Sequence, residues 1–132
     1  MVMRTVFVRG SMAANTGHNH GAYPIFTLKA ESMPILKSSR DLVDEAMEEI
    51  RTYTVADVLP RLNDPQTQLV DIRDIRELAH GTVVGAFHAP RGMLEFWVDP
   101  ASPYYKPIFG DESKEYILFC GAGWRSALTA KS

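Results

Sequence analysis

The sequence predicts an α/β protein, a parallel sheet flanked by helices. Two observations carry the expectation. Short apolar runs, Gln68–Ile72 and Tyr116–Phe119, alternate with segments of helical or charged character, the order in which parallel strands are joined by crossover helices. The run Tyr116-Ile117-Leu118-Phe119 also shows no polar alternation, as expected of a strand covered on both faces. In such sheets the functional groups gather at the carboxyl ends of the strands, and the single cysteine, Cys120, follows this run directly.

Element by element, Met1–Gly10 has basic residues interrupting its apolar ones and lacks the unbroken run of a signal peptide or membrane span. Gly10-Ser11-Met12 resembles a cloning junction followed by a second start, so residues 1–21 are expected to be a flexible leader or tag remnant. Within it, His18 and His20 have no nearby carboxylate to complete a metal site, and no metal or cofactor is expected. Residues 22–51 are read as an N-terminal arm, Tyr23–Leu28, and an amphipathic helix. Ser39 is its expected N-cap and Asp41 lies in its first turn, while Leu42, Val43, Ala46, Met47 and Ile50 share the apolar face. Thr52-Tyr53 reads as a short strand, Thr54 as a cap, and Val55–Leu62 as a helix stopped near Asn63-Asp64-Pro65. Gln68–Ile72 is a buried strand ending at Asp71 and Arg73, followed by a helical turn through Ile75, Glu77 and Leu78 and a break at His80-Gly81. Val83–Ala89 is the next expected strand, Gly92–Trp97 a short helix, Tyr116–Phe119 the strand before the cysteine, and Ser126–Lys131 the helix behind it.

Composition restricts the function. With 132 residues, one domain is expected. A formal net charge of −2 and 23% charged residues offer no basic surface for nucleic acid. A lone cysteine excludes an internal disulfide framework and a four-cysteine zinc site, and the composition suits a reducing, cytoplasmic compartment.

The strongest chemical signal is Cys120-Gly121-Ala122-Gly123-Trp124-Arg125-Ser126, between a buried strand and a helix. Two glycines permit the backbone to curl so that successive amides point at one centre, forming an anion nest at a helix start. The same field favours a thiolate. Free cysteine titrates near about 8.5, whereas cysteines at helix N-termini or beside arginine fall at about 3.5 to 7.5. Arg125 can clamp an incoming oxyanion or pair with a carboxylate such as Asp71. The plainer alternative is an inert core thiol at a strand end. The flanking glycines and the following arginine favour chemistry.

A cysteine and an arginine separated by four residues at a strand–helix junction resemble the active loop of the rhodanese family. Leu69-Val70-Asp71-Ile72-Arg73, Glu77 with His80-Gly81, Val84–Pro90, Gly92–Phe96, Tyr116–Cys120 and Trp124–Ala127 follow in that family's order, so that residues 52–132 resemble a single rhodanese domain. The resemblance implies a sulfurtransferase needing no cofactor. Cys120 is its nucleophile and Arg125 its anion clamp; Gly121, Ala122, Gly123, Trp124 and Ser126 form the substrate-binding loop. Asp71, Arg73 and Glu77 are implied as structural support, Arg73 pairing with Glu77, and His88 as a packing residue. The implied partners are a small sulfur donor and a thiol or cyanide acceptor, with a homodimer or a protein sulfur acceptor left open, and with neither nucleic acid nor membrane. Two other readings stand beside it: a non-catalytic rhodanese-like binding or regulatory module, and a Cys/Arg phosphatase, whose loop is one residue longer. The family's usual domain continues beyond the point matching Ser132 with one more parallel strand and a helix. That strand would lie between Thr52-Tyr53 and the cysteine strand, so an open, unpaired edge is expected there, with the residues before Thr52 of less importance to the site.

Overall fold

The computed structural model describes residues 34–132, together with the backbone of residues 2–6. Its elements are β1 (Val2–Val6), α1 (Ser39–Glu49), β2 (Thr52–Tyr53), α2 (Val55–Val58), β3 (Thr67–Asp71), β4 (Phe87–His88), α3 (Arg91–Val98), β5 (Glu115–Phe119) and α4 (Trp124–Lys131). Short 3-10 turns cover Leu59–Arg61, Ile75–His80 and Pro107–Phe109. All described strand pairs are parallel, in the order β2-β1-β5-β3-β4.

The centre of the sheet is β5. Tyr116 and Leu118 face one cluster with Val70, Ile72, Ala89, Leu94, Phe109 and Cys120, while Ile117 faces the other with Tyr53, Val58 and Leu69. Burial on both faces is why the strand carries no polar alternation. Tyr116 keeps its polar end satisfied by donating to the Ile108 carbonyl at 2.7 Å. On one edge β5 pairs with β3 from Thr67↔Glu115 to Asp71↔Phe119. Asp71 and Phe119 are therefore side by side at the carboxyl edge, where Cys120 leaves the sheet.

The other edge of β5 differs from expectation. It is occupied by β1, which pairs from Val2↔Glu115 to Thr5↔Leu118 and, on its far side, with β2 at Thr5↔Thr52 and Val6↔Tyr53. The position expected to stand open between β2 and the cysteine strand is filled from the N-terminus, and residues 2–6 of the expected leader are a strand. The physical reason is the demand of two facing strand edges for main-chain partners. Ala13–Gly21, with His18 and His20, and the arm Tyr23–Leu28 lie outside the described residues.

The N-terminal helix is equally engaged. Its N-cap is Ser38, one residue before the expected Ser39, closing a box in which Ser38 Oγ accepts from the Asp41 amide and Asp41 accepts from the Ser38 amide. Val43 and Ala46 of α1 pack against Ala127 of α4, with Met47, Ile50 and Leu128 around them. Since α4 opens directly on the cysteine loop, residues before Thr52 support the site from two sides.

Elsewhere the boundaries shift for local reasons. Thr54 caps α2 as expected, but the α-helix ends at Val58 and tightens to a 3-10 turn where Pro60 removes an amide donor. The strand expected over Val83–Ala89 reduces to Phe87–His88 because Gly85 turns the chain at φ 82°. Among the described residues no helix is long and apolar enough to cross a membrane.

If α1 is a structural part of the domain, enlarging the residue at its contact with α4 must be felt. Ala46→Leu, at a position with no exposed surface, should lower unfolding free energy by about 1–3 kcal/mol through overpacking. Urea denaturation checks it; an unchanged midpoint would show that α1 does not pack there.

Candidate active site

Cys120 sits where β5 ends and the chain turns through Gly121, Ala122 and Gly123 into α4. Gly123, at φ 87°, is the left-handed residue that makes this turn and stands at the N-cap of α4. Gly121 does not adopt such a conformation, so the curl rests on one glycine of the two. The Gly123 amide donates to Cys120 Sγ at 3.2 Å, and Ser126 Oγ lies 3.5 Å from the sulfur and donates to the Gly123 carbonyl at 3.2 Å. A hydroxyl has one proton. It serves the Gly123 carbonyl while the thiol is protonated, and can turn to the sulfur when the proton leaves.

These contacts decide the state of the thiol. With 4% of its surface exposed, Cys120 is pushed upward by burial, but the Ser126 hydroxyl and the amides of Ser126, Gly123 and Ala122 outweigh that, leaving it below the ordinary thiol value. The thiolate is stabilised by its loop. Sγ opens onto a shallow cleft of about 400 Å³ lined by Arg73, Gly81, Thr82, Val83, Phe119, Cys120 and Gly121. Trp124, expected in the cleft wall, is not among these residues; it begins α4 and is 41% exposed.

Two ion pairs brace the cleft, with partners exchanged relative to expectation. Arg125 holds Glu77, not Asp71, through two bonds of 2.6 and 3.0 Å, and its Nη2 lies 3.4 Å from where a Cβ on Gly121 would stand. Glu77 is thereby held below the usual carboxylate range by the Arg125 guanidinium. Arg73 folds back on Asp71, with Nε and Nη2 both donating to its carboxylate, and reaches the Gly81 carbonyl at 2.8 Å. Burial would raise the Asp71 carboxyl; bonds from the Arg73 side chain and amide and from Thr82 Oγ1 bring it below its ordinary value. The exchange has a geometric cause: Asp71 and Arg73 are two residues apart at one strand end, whereas Glu77, on the 3-10 turn begun by Asp74, faces the first turn of α4. Thr82, which the sequence did not single out, completes the Asp71 cage; its place directly after His80-Gly81 was the one signal available. His88 Nε2 donates to the Arg73 carbonyl at 2.8 Å and so holds the strand end in place.

The arrangement is a buried sulfur lining a cleft, with amide donors to it and the Arg125 guanidinium beside the loop at Gly121. The rhodanese-like domain model matches residues 54–132, and the chain belongs to the rhodanese-like family. It is similar to a solved protein of unknown function from Rhodopseudomonas palustris CGA009, described as a possible tyrosine phosphatase, with 45% identity and a TM-score of 0.70 over 75% of this chain and 76% of that one. None of the curated proteins compared with the chain matches it.

Two measurements test the electrostatics. Cys120 alkylation followed against pH should show its transition below the ordinary thiol value, and Ser126→Ala should move it upward by removing a donor to the anion. A transition unmoved by that substitution would leave Ser126 without a role. For Asp71, whose folded value is depressed, the stabilisation is complete above the ordinary carboxyl value of about 3.9 and is lost as pH falls through the lower folded value. Asp71→Asn should thus destabilise the protein at neutrality, the gap to wild type closing only in strong acid. Urea midpoints across pH report it, and a gap independent of pH would refute an ionised Asp71.

Proposed function

We propose that the protein is a sulfurtransferase that carries a sulfane sulfur on Cys120. The observation that supports this most is the sulfur held against its own four-residue loop, accepting from the Gly123 amide while Arg125 folds over Gly121. The Cys120 thiolate attacks the outer sulfur of thiosulfate; the S–S bond of the donor breaks and sulfite leaves with the bonding pair. The product is a Cys120 persulfide whose terminal sulfur occupies the cleft. Cyanide, or a small or protein thiolate, then attacks that sulfur, takes it, and returns Cys120 as the thiolate. Both transfers begin and end with an anion at the loop, and fixed amide donors stabilise it without reorganising. Arg125 acts as the clamp for the donor's oxyanion and Glu77 as the residue that positions it.

A second reading follows from the description of the Rhodopseudomonas palustris protein as a possible tyrosine phosphatase. A phosphate ester would use the same nucleophile and arginine. The short loop, which brings its amides onto the sulfur itself, favours a sulfur atom as the group carried.

Incubated with thiosulfate, the protein should gain the mass of one sulfur atom, and Cys120→Ser should gain none. Arg125→Ala should lower kcat/KM for thiosulfate by about tenfold to a hundredfold, the worth of a charge-assisted hydrogen bond, with little loss of stability because its pair with Glu77 is 39% exposed on each side. Hydrolysis of an aryl phosphate without any persulfide would replace this reading by the phosphatase one.

A further inference from the structure

We infer that an apolar groove adjoining the cysteine cleft binds the hydrocarbon part of the sulfur acceptor, and that this acceptor is a small thiol carrying an aryl or branched alkyl group. The groove has a volume of about 130 Å³, and every side chain lining it is apolar. Val58 and Leu69 are its buried members, and Val55, Leu59 and Leu62 stand exposed along α2 and the 3-10 turn that follows it. Val83 and Phe119 complete it, and both also line the cleft that holds Cys120. The two depressions therefore share a wall, and Phe119 is the residue directly before the cysteine. Single exposed apolar residues are ordinary on a protein surface. Three that converge with buried ones on a common recess, continuous with a reactive sulfur, form a patch of the kind that takes a ligand.

Size and chemistry select the occupant. A cavity of about 150 Å³ lined by Leu, Ile and Phe holds one benzene ring, so this groove suits a single ring or a branched alkyl group. A docked peptide would set main-chain amides against walls that offer no hydrogen-bonding side chain, whereas a hydrocarbon leaves nothing unpaired there. The cleft beyond the shared wall differs in carrying Arg73 and Thr82, and it holds the reacting sulfur. A molecule with a thiolate at one end and a ring at the other matches both halves; cyanide would use the cleft alone. The assignment of this molecule as the acceptor rests on the sulfur-transfer reading above. In that step the bound thiolate attacks the outer, protonated sulfur of the Cys120 persulfide. A new S–S bond forms as the old one breaks, the acceptor leaves as a hydropersulfide, and Cys120 keeps the bonding pair as its thiolate.

Two probes of the full chain test the groove. In the first, Cys120 is alkylated by iodoacetamide and by N-benzyl iodoacetamide, and the ratio of the two rates is compared with the same ratio for free cysteine. The protein should favour the benzyl reagent by about tenfold over free cysteine, the worth of burying a ring. Leu59→Gln and Leu62→Gln place polar groups at positions 58% and 41% exposed, and each should bring the ratio most of the way back to that of free cysteine. A ratio equal to that of free cysteine in the unsubstituted chain, or one that neither substitution lowers, would overturn the site. Should the variants not fold, benzyl alcohol added to the unsubstituted chain decides: it should slow the benzyl reagent and spare iodoacetamide, and equal effects on both would overturn the site. In the second probe, the persulfide form is offered benzyl mercaptan or 2-mercaptoethanol, and kcat/KM should favour the benzyl thiol by about tenfold. No preference between the thiols would overturn the assignment of the acceptor. The alkylation probe requires no sulfur donor, so benzyl selectivity without any persulfide formation would remove the proposed function and leave the groove as a ligand site.

Discussion

A sulfur anion can be kept out of water only if hydrogen-bond donors replace the water, and that constraint organises the protein around the end of β5. The donors are main-chain amides, so their placement is a property of the backbone and not of any one side chain. The backbone is in turn fixed by what surrounds the strand. Apolar side chains cover both faces, parallel strands lie on both edges, and α4 turns away through the single left-handed glycine at Gly123. These surroundings hold in place the amides that favour the thiolate.

The two ion pairs work at the next level. Asp71 with Arg73 closes the end of β3, and Glu77 with Arg125 ties the 3-10 turn to the first turn of α4. The first is the more buried, with Asp71 almost wholly covered and bonded also by Thr82, so its carboxylate resembles a fixed structural charge. The second is partly exposed and contributes little to stability.

Much of this was legible in the chain. Val70 and Asp71, the run Tyr116–Phe119 and the loop Cys120–Ser126 are local patterns whose meaning depends on residues adjacent in sequence, and each appears near where its pattern placed it. The capping residues were readable within one position for the same reason. What could not be read were choices made in three dimensions. Four charged residues, Asp71, Arg73, Glu77 and Arg125, admit more than one pairing, and only the height of the 3-10 turn beside α4 selects between them. The strand Val2–Val6 was invisible for another reason. With Arg4 and Thr5 interrupting its apolar residues it has no strong period, and what makes it a strand is a pair of facing edges encoded at Thr52–Tyr53 and Glu115–Phe119, far along the chain.

The pairing of the arginines near the ends of β3 and β5 bears on the field they project. Arg73, Arg76 and Arg125 each carry a carboxylate within bonding distance, from Asp71, Asp74 and Glu77. Close pairs of opposite sign cancel beyond a Debye length of about 8 Å at physiological salt, so little field projects into the solvent to draw an anion from afar. An ion in solution meets these pairs as nearly neutral units and feels their separate charges only at short range. Any selection among anions by these arginines would act at contact and not at a distance.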